Sequence, residues 1–321
     1  MFRLRRVAWL LWPALLPGQA GAPDQTPSFQ ADVRLVQVLA TVKNTKGAVV
    51  GGLEREDFSV SVNGEPQQIA VFERQTDRPL SVALLFDASP SVAKESRFER
   101  EAAGRFVRSL LGRGAHPQDR IAVYKFSAWI DQIAGFTDSV ARLEKALQSV
   151  QTESGTSVYD AVYLAAQDLQ RRPGRRVLVL VTDGGDTTSV GGFHKAMEEA
   201  QRADAVVYSI IVVPITNDAG RNLGGENALK TLSASTGGVA FPQHTFGQPA
   251  PDMEDAFRQI ERDLRTQYLI GFYPRGVARG PERFQRLDLR VRRPDLRVLA
   301  RTGYFSGPDQ ETGAVEAPVR R

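Results

Sequence analysis

The stretch Ser81-Val-Ala-Leu-Leu-Phe-Asp-Ala-Ser-Pro-Ser91 limits what this chain can fold into more than any other. Its apolar run is too short for a core helix and too unbroken for a strand with one face in water. Runs of that kind belong to strands buried on both faces, as at the centre of a parallel sheet with helices on either side. The run stops in Asp87, Ser89 and Ser91, spaced two apart. Open α/β sheets bind ligands at the carboxyl ends of their strands, and a cluster of oxygens alone suits a hard cation. The plainer reading of the same three residues is helix capping, for which Ser and Asp are preferred.

From Ser81 onward strands and helices alternate. Phe98, Ala102, Phe106 and Leu110 recur at helical spacing within 95–111. Ile121 to Phe126 reads as a strand with a short neighbour over 131–136, and Val140, Leu143, Leu147 and Val150 mark a second helix. Ser154-Gly-Thr-Ser157 caps a third, running through Tyr159, Val162, Leu164 and Leu169. Val177 to Val181 is a second buried strand and ends in Thr182-Asp-Gly-Gly-Asp186. A helix through Ala196 and Ala200, a strand over 206–213, a helix over 228–235, a short strand over 239–241 and a helix over 253–264 complete the series. Repeated βα units of this kind predict an α/β domain over 80–266 with a doubly wound, mostly parallel sheet.

The flanks have a different rhythm. Within 31–74, Val36, Val38, Ala40 and Val42 alternate with Gln37, Leu39, Thr41 and Lys43. Residues 48–53 read as a second strand or edge, Phe58, Val60 and Val62 alternate again, Asn63-Gly64 is a hairpin signal, and 68–72 returns. So few short strands cannot bury a core alone. Within 267–306 strands reappear at 268–273, 284–291 and 298–304, with most of the arginines between Arg283 and Arg301 expected on a solvated face rather than in an anion-binding patch. Together the flanks offer about seven strands, the number in a small immunoglobulin-like sandwich. The α/β domain is therefore expected to be inserted into a β-sandwich built from both ends of the chain.

The ends read as address and tail. Arg3, Arg5 and Arg6 precede a short apolar run from Val7 to Leu16, and Gly18-Gln-Ala20 and Ala20-Gly-Ala22 offer small-residue cleavage points. Residues 1–22 are thus expected to be a signal peptide, 23–30 a linker and 307–321 a disordered tail. The leader run is far short of the roughly 20 residues a membrane span needs, so no span is expected after cleavage. The protein is expected to be exported, periplasmic or extracellular. Losing the three leader arginines lowers the formal net charge from +4 to +1. A nucleic-acid role then lacks its electrostatic basis. No cysteine is present, and His116, His194 and His244 have no metal-ligand spacing, which leaves neither disulfides nor a thiolate or imidazole metal site.

Three loops remain at strand ends or helix starts: Asp87-x-Ser89-x-Ser91, Gly155-Thr156-Ser157 and Thr182-Asp183-Gly184. They carry carboxylate and hydroxyl oxygens, a set that favours Mg²⁺ or Mn²⁺ over zinc or copper. With neutral hydroxyls replacing further carboxylates, a bound ion keeps residual positive charge for an anionic partner group. At these residues the chain resembles the von Willebrand factor type A domain and its metal-ion-dependent adhesion site (MIDAS). Asp87, Ser89 and Ser91 match the first part of that motif, Thr156 the second and Asp183 the third. The resemblance implies ligation by the hydroxyls of Ser89, Ser91 and Thr156, with Asp87 and Asp183 acting directly or through water. Pro90, between the serines, departs from the usual pattern and restricts Ser89 to extended conformations. Gly52-Leu-x-x-x-Asp-Phe58, Tyr268-Leu-Ile-Gly-Phe-Tyr-Pro274 and Arg301-Thr-Gly-Tyr-Phe305 are similar to flanking stretches of a bacterial, acidobacterial-type subset of such proteins.

Three functions compete. The first is a non-enzymatic adhesion or protein-interaction module that captures an acidic side chain of a protein partner through Mg²⁺ or Mn²⁺. The second is a structural subunit of an envelope complex whose metal site only stabilises. The third is a Mg²⁺-dependent hydrolase like the haloacid dehalogenase-type phosphatases. Those place a second aspartate two residues after the nucleophile; here that position is Ser89, which cannot act as the acid. No Gly-x-Gly-x-x-Gly follows the first strand and no Gly-Lys-Ser/Thr loop occurs, which argues against nucleotide binding.

Overall fold

The computed structural model describes residues 35–74, 77–92, 96–212, 222–243, 252–276 and 283–306. The expected signal peptide, linker and tail, and His244, lie outside these residues. The chain opens with β1 (Val36–Asn44), β2 (Phe58–Val62), β3 (Glu65–Gln67) and β4 (Ile69–Glu73). Strand and helix then alternate: β5 (Leu80–Asp87), α1 (Ser96–Leu110), β6 (Arg120–Phe126), β7 (Ile130–Thr137), α2 (Val140–Gln148), α3 (Val158–Gln170), β8 (Arg175–Thr182), α4 (Phe193–Arg202), β9 (Ala205–Ile211), α5 (Leu223–Thr236), β10 (Ala240–Pro242) and α6 (Met253–Arg265). Four strands close the described chain: β11 (Tyr268–Phe272), β12 (Arg283–Val291), β13 (Leu296–Ala300) and β14 (Gly303–Ser306).

The central sheet has six strands in the order β10-β9-β8-β5-β6-β7. Its pairs are parallel apart from the antiparallel edge strand β7. Every residue of β5 is buried, and its side chains alternate between two cores. Val82, Leu84 and Phe86 pack with residues of α1, α2 and α6, while Ala83 and Leu85 pack with residues of α3, α4 and α5. This is the doubly wound arrangement expected of an unbroken apolar strand. The register sets Asp87 beside Phe126 of β6 and Phe86 beside Val181 of β8. The chain therefore leaves both central strands at the same level.

The remaining strands form two four-stranded sheets, β13-β1-β11-β4 and β14-β12-β2-β3. Both mix strands from the two ends of the chain: β1 lies antiparallel between β11 and β13, and β12 pairs with β2. The two sheets share one apolar core that includes Val38, Val42, Phe58, Val60, Tyr268, Phe272 and Leu287. The Tyr268 hydroxyl donates to the Val50 carbonyl at 2.8 Å and accepts from Leu53 N–H at 3.1 Å, which fastens the 48–53 segment.

The structure corrects several local expectations. Residues 48–53 form no strand; their ladder contact is a single bridge between Lys43 and Val49. The expected strand 298–304 is two strands in different sheets. Between them, Arg301 pairs with Asp204 and donates to the Gln37 carbonyl, and Thr302 N–H donates to the Ser235 carbonyl. These anchors turn the chain from one sheet to the other, so Arg301 is not on the solvated face. Phe98 and Leu164 are exposed rather than core residues. At the start of α1 the buried position belongs to Glu99. The outer face of β1 is not in water either. Leu39 packs against the α/β core and Lys43 forms a 2.8 Å ion pair with Asp263 of α6.

That ion pair is one of the polar links between the sandwich and the α/β layers. Asp263 has no exposed side-chain surface and also accepts from Gln259 at 2.6 Å. Burial raises its pKa, and the opposing effects of Lys43 and Gln259 do not cancel the rise. Removing one partner of a buried pair strands the other charge, at a cost of about 3 kcal/mol. Lys43→Ala is therefore expected to lower unfolding free energy by about that amount at pH 7.5, measured by urea titration. Because a raised carboxyl pKa favours the protonated folded state, the penalty should shrink as the pH falls. Adding Asp263→Asn should recover most of it; a penalty that stays the same as the pH is lowered from 7.5 would show that the pair carries no buried charge.

Candidate metal centre

Three loops meet at the carboxyl end of the central sheet because the two buried strands end side by side. Asp87 is the last residue of β5 and Thr182 the last of β8. The Thr182 hydroxyl donates to Asp87 Oδ2 at 2.5 Å and accepts from Gly184 N–H at 3.1 Å. Ser89 N–H donates to Asp87 Oδ1 at 2.8 Å, which folds the first loop back over the strand end. Pro90 then opens a short 3-10 turn through Val92, where its fixed φ is suited. The proline does not separate the serines: Ser89 Oγ and Ser91 Oγ lie 2.9 Å apart.

The second loop is tied to the first through main chain. Ala88 N–H donates to the Phe126 carbonyl and Glu153 N–H to the Ala88 carbonyl, at 2.8 and 2.7 Å. Gly155 has φ +82°, and a Cβ there would stand 2.8 Å from Ala128 Cβ, so a side chain would push this loop off the 127–129 turn. Thr156 follows and is buried. Its N–H donates to Thr187 Oγ1 at 3.0 Å, and its carbonyl accepts from Thr187 and Thr188 N–H. None of these bonds uses the Thr156 hydroxyl. Ser157 does not cap α3 with its side chain; its Oγ meets Thr188 Oγ1 at 2.8 Å and stitches the second loop to the third.

In the third loop Asp183 Oδ1 accepts from Gly185 N–H at 2.8 Å, and the Asp183 charge acts on Asp87. Gly184 has φ +83° and packs against Gly225 at the start of α5, which positions the turn. Asp186 accepts from Tyr159 N–H and from the Ser189 hydroxyl, and Asp160 accepts from Val190 and Gly191 N–H. Both carboxylates are thus committed to holding the loops. Sequence reasoning did not single out Thr182 as a site residue. Its signal was its position, the last residue of a buried strand beside Asp183.

Electrostatics make Asp87 the costly member. Only 2% of its surface is exposed. Burial pushes its carboxyl up to about 6 despite the opposing hydrogen bonds from Ser89 and Thr182, and the nearby Asp183 charge adds to the rise. Among the described residues no three His, Cys, Asp or Glu side chains gather to hold a metal. The side-chain oxygens gathered here are hydroxyls as well as carboxylates. Cis ligands at about 2.1 Å from a Mg²⁺ ion are about 3.0 Å apart in an octahedral shell. The 2.9 Å between Ser89 Oγ and Ser91 Oγ fits two adjacent positions of such a shell.

A carboxyl group whose pKa is higher in the folded than in the unfolded chain makes stability fall as pH rises between the two values. For Asp87 this window runs from its ordinary 3.8 to about 6. The ionised form costs on the order of 3 kcal/mol at neutral pH. In chelator, Asp87→Asn should therefore lack a stability loss that the parent shows between about pH 4 and pH 6.5. Urea unfolding across that range checks it; parallel curves would show that Asp87 is not the titrating group.

The sequence matches the family model of the von Willebrand factor type A domain over residues 82–186. A search of curated proteins by sequence gives no match. Similar solved structures include the vWF domain of the type V pili tip protein Mfa5 from Porphyromonas gingivalis, at 13% identity and TM-score 0.46, covering 58% of this chain and 94% of that one. A von Willebrand factor type A structure from Catenulispora acidiphila is similar at 12% identity and TM-score 0.46, covering 87% of this chain and 75% of that one. An aerotolerance-related membrane protein from Bacteroides fragilis is similar at 19% identity and TM-score 0.42, covering 58% of this chain and 98% of that one. The family match lies across β5 to β8, and both of its buried strands end in the clustered loops, so it is the segment 82–186 that is similar to a von Willebrand factor type A domain.

Proposed function

We propose that the protein is an exported, metal-ion-dependent adhesion module that binds an acidic group of a partner protein. Domains of this family serve protein–protein interaction, and no described helix is long and apolar enough to cross a membrane. The observation that carries the finer reading is the cross-tying of the three loops. Asp87 to Thr182, Ala88 to Glu153, and Thr156 to Thr187 hold an oxygen-only set at one sheet end. Ser89, Ser91 and Thr156 would supply hydroxyl ligands, and Asp87 and Asp183 carboxylates, to Mg²⁺ or Mn²⁺. When bound, such an ion offers an open coordination position to an anionic oxygen. The protein's own residues hold and orient it: Thr182 and Ser89 N–H fix the Asp87 carboxylate, and the Pro90 turn sets the two serines.

The hydrolase reading fits these contacts less well. Asp87 Oδ2 is engaged by Thr182 and the carboxylate is almost wholly buried, whereas a nucleophile must reach its substrate. Ser89 supplies no acid, and its hydroxyl meets Ser91 instead.

Calorimetric titration with Mg²⁺ or Mn²⁺ is expected to show one site in the parent and none in Asp87→Ala. Ser89→Ala and Thr156→Ala should each weaken binding by about ten-fold, as loss of one neutral ligand of an incomplete shell. Unchanged affinity in Asp87→Ala would place the ion elsewhere. A partner retained from envelope material equally well with and without EDTA would favour a structural subunit with a merely stabilising metal.

A further inference from the structure

The large apolar side chains that face solvent are unevenly placed. Among the described residues Val190, Trp129, Phe98 and Leu223 are 99%, 77%, 72% and 61% exposed, and the other exposed large hydrophobics reach at most 47%. All four belong to segments that follow the carboxyl ends of central strands: Phe98 after β5, Trp129 after β6, Val190 after β8 and Leu223 after β9. Three are fixed directly to the metal-centre loops. Trp129 closes the 127–129 turn, which receives Ser157 N–H at the Ser127 carbonyl and gives Ala128 N–H to the Ser154 carbonyl. Val190 N–H donates to Asp160 in the first turn of α3, four residues on from Thr156. Leu223 opens α5, whose Gly225 lies against Gly184.

Apolar side chains this exposed gain nothing for the fold; gathered at one end they mark a surface meant to be covered. A tryptophan within such a patch is the commonest kind of binding anchor. The oxygen cluster lies at the same end of the sheet and differs in chemistry from these side chains, since it can leave a bound cation short of one anionic ligand.

We propose that the rim of Trp129, Val190, Leu223 and Phe98 selects a carboxylate set between apolar side chains, so that the partner is a protein segment with an Asp or Glu flanked by large aliphatic or aromatic residues. This rests on the metal-dependent reading above, and complementarity of both chemistries fixes the occupant. The carboxylate meets the cation at the centre while its flanks cover the rim. A polar acidic loop would leave the rim in water, and an apolar segment without the carboxylate would leave the cation unmatched.

The sequence supplies a reporter. Its three tryptophans are Trp9, Trp12 and Trp129. In the full chain carrying Trp9→Phe and Trp12→Phe, Trp129 is the sole emitter and sits on the rim. Three synthetic peptides separate the ideas: one with Asp between Leu and Phe residues, the same peptide with Asn, and one with Asp between Gly and Ser. With Mg²⁺ present, the first is expected to shift Trp129 emission to the blue and bind at least about ten-fold tighter than either other. EDTA should remove that advantage. Val190→Ser and Leu223→Ser, both surface changes that leave the fold intact, should each weaken the first peptide several-fold and leave Mg²⁺ affinity unchanged. Equal binding of the Gly/Ser-flanked Asp peptide would overturn the apolar rim while leaving the metal reading standing. Equal binding of the Asn peptide would overturn the metal reading while leaving the rim. No binding by any peptide overturns the proposal.

Discussion

A carboxylate buried at the end of a central strand is an expensive thing to keep, and the surrounding loops are arranged around that expense. Asp87 gives up almost all contact with water, and two hydrogen bonds, from Thr182 and Ser89, offset only part of what it loses. Those same two bonds set the geometry of the site. One locks the ends of β5 and β8 together; the other folds the first loop so that Ser89 and Ser91 come within 2.9 Å. Without an ion the group holds its proton up to about pH 6. A divalent cation at the same place would relieve the desolvation and give the buried charge a function.

The sandwich matters to this arrangement through where it attaches. Its links to the α/β layers lie at the amino ends of the central strands. Arg78, just before β5, donates to Gln37 of β1 while its carbonyl accepts from Arg175, the first residue of β8; Arg301 pairs with Asp204 just before β9, and Lys43 meets Asp263 near the end of α6. The site loops stand at the carboxyl ends. Strands from both termini are thus gathered at one end of the α/β layers, and the other end is left to the oxygen cluster. Burial lowers the pKa of Arg175 to about 10, which reflects how closed the joint is.

Much of this was readable from residues alone because the signals are local. A run such as Ser81 to Phe86 has only one place in a soluble fold, and Thr182-Asp183-Gly184 after a second such run sets the neighbouring loop. The interleaved sandwich was legible as a strand count, since neither flank can bury a core by itself. What escaped depended on tertiary contacts. β1 reads as a period-two strand, and the pattern does not announce that Leu39 and Lys43 are covered by a second core behind it. The sheet switch at 301–302 follows from anchors on Gln37, Asp204 and Ser235, which no local pattern announces. Phe98 keeps helical spacing with Ala102 and Phe106 but lies beyond the layer that buries them. Spacing records which face of a helix a residue occupies, and not how far the neighbouring layer extends.

The central claim is that Asp87, Ser89, Ser91, Thr156 and Asp183 together hold a divalent cation. Anomalous diffraction from crystals grown with Mn²⁺ tests it most directly, because the signal identifies both the ion and its position. The account predicts one strong peak within about 2.3 Å of the Ser89 and Ser91 hydroxyls. Clear density for the five side chains at saturating Mn²⁺, with the peak absent or resting on other residues, would contradict it.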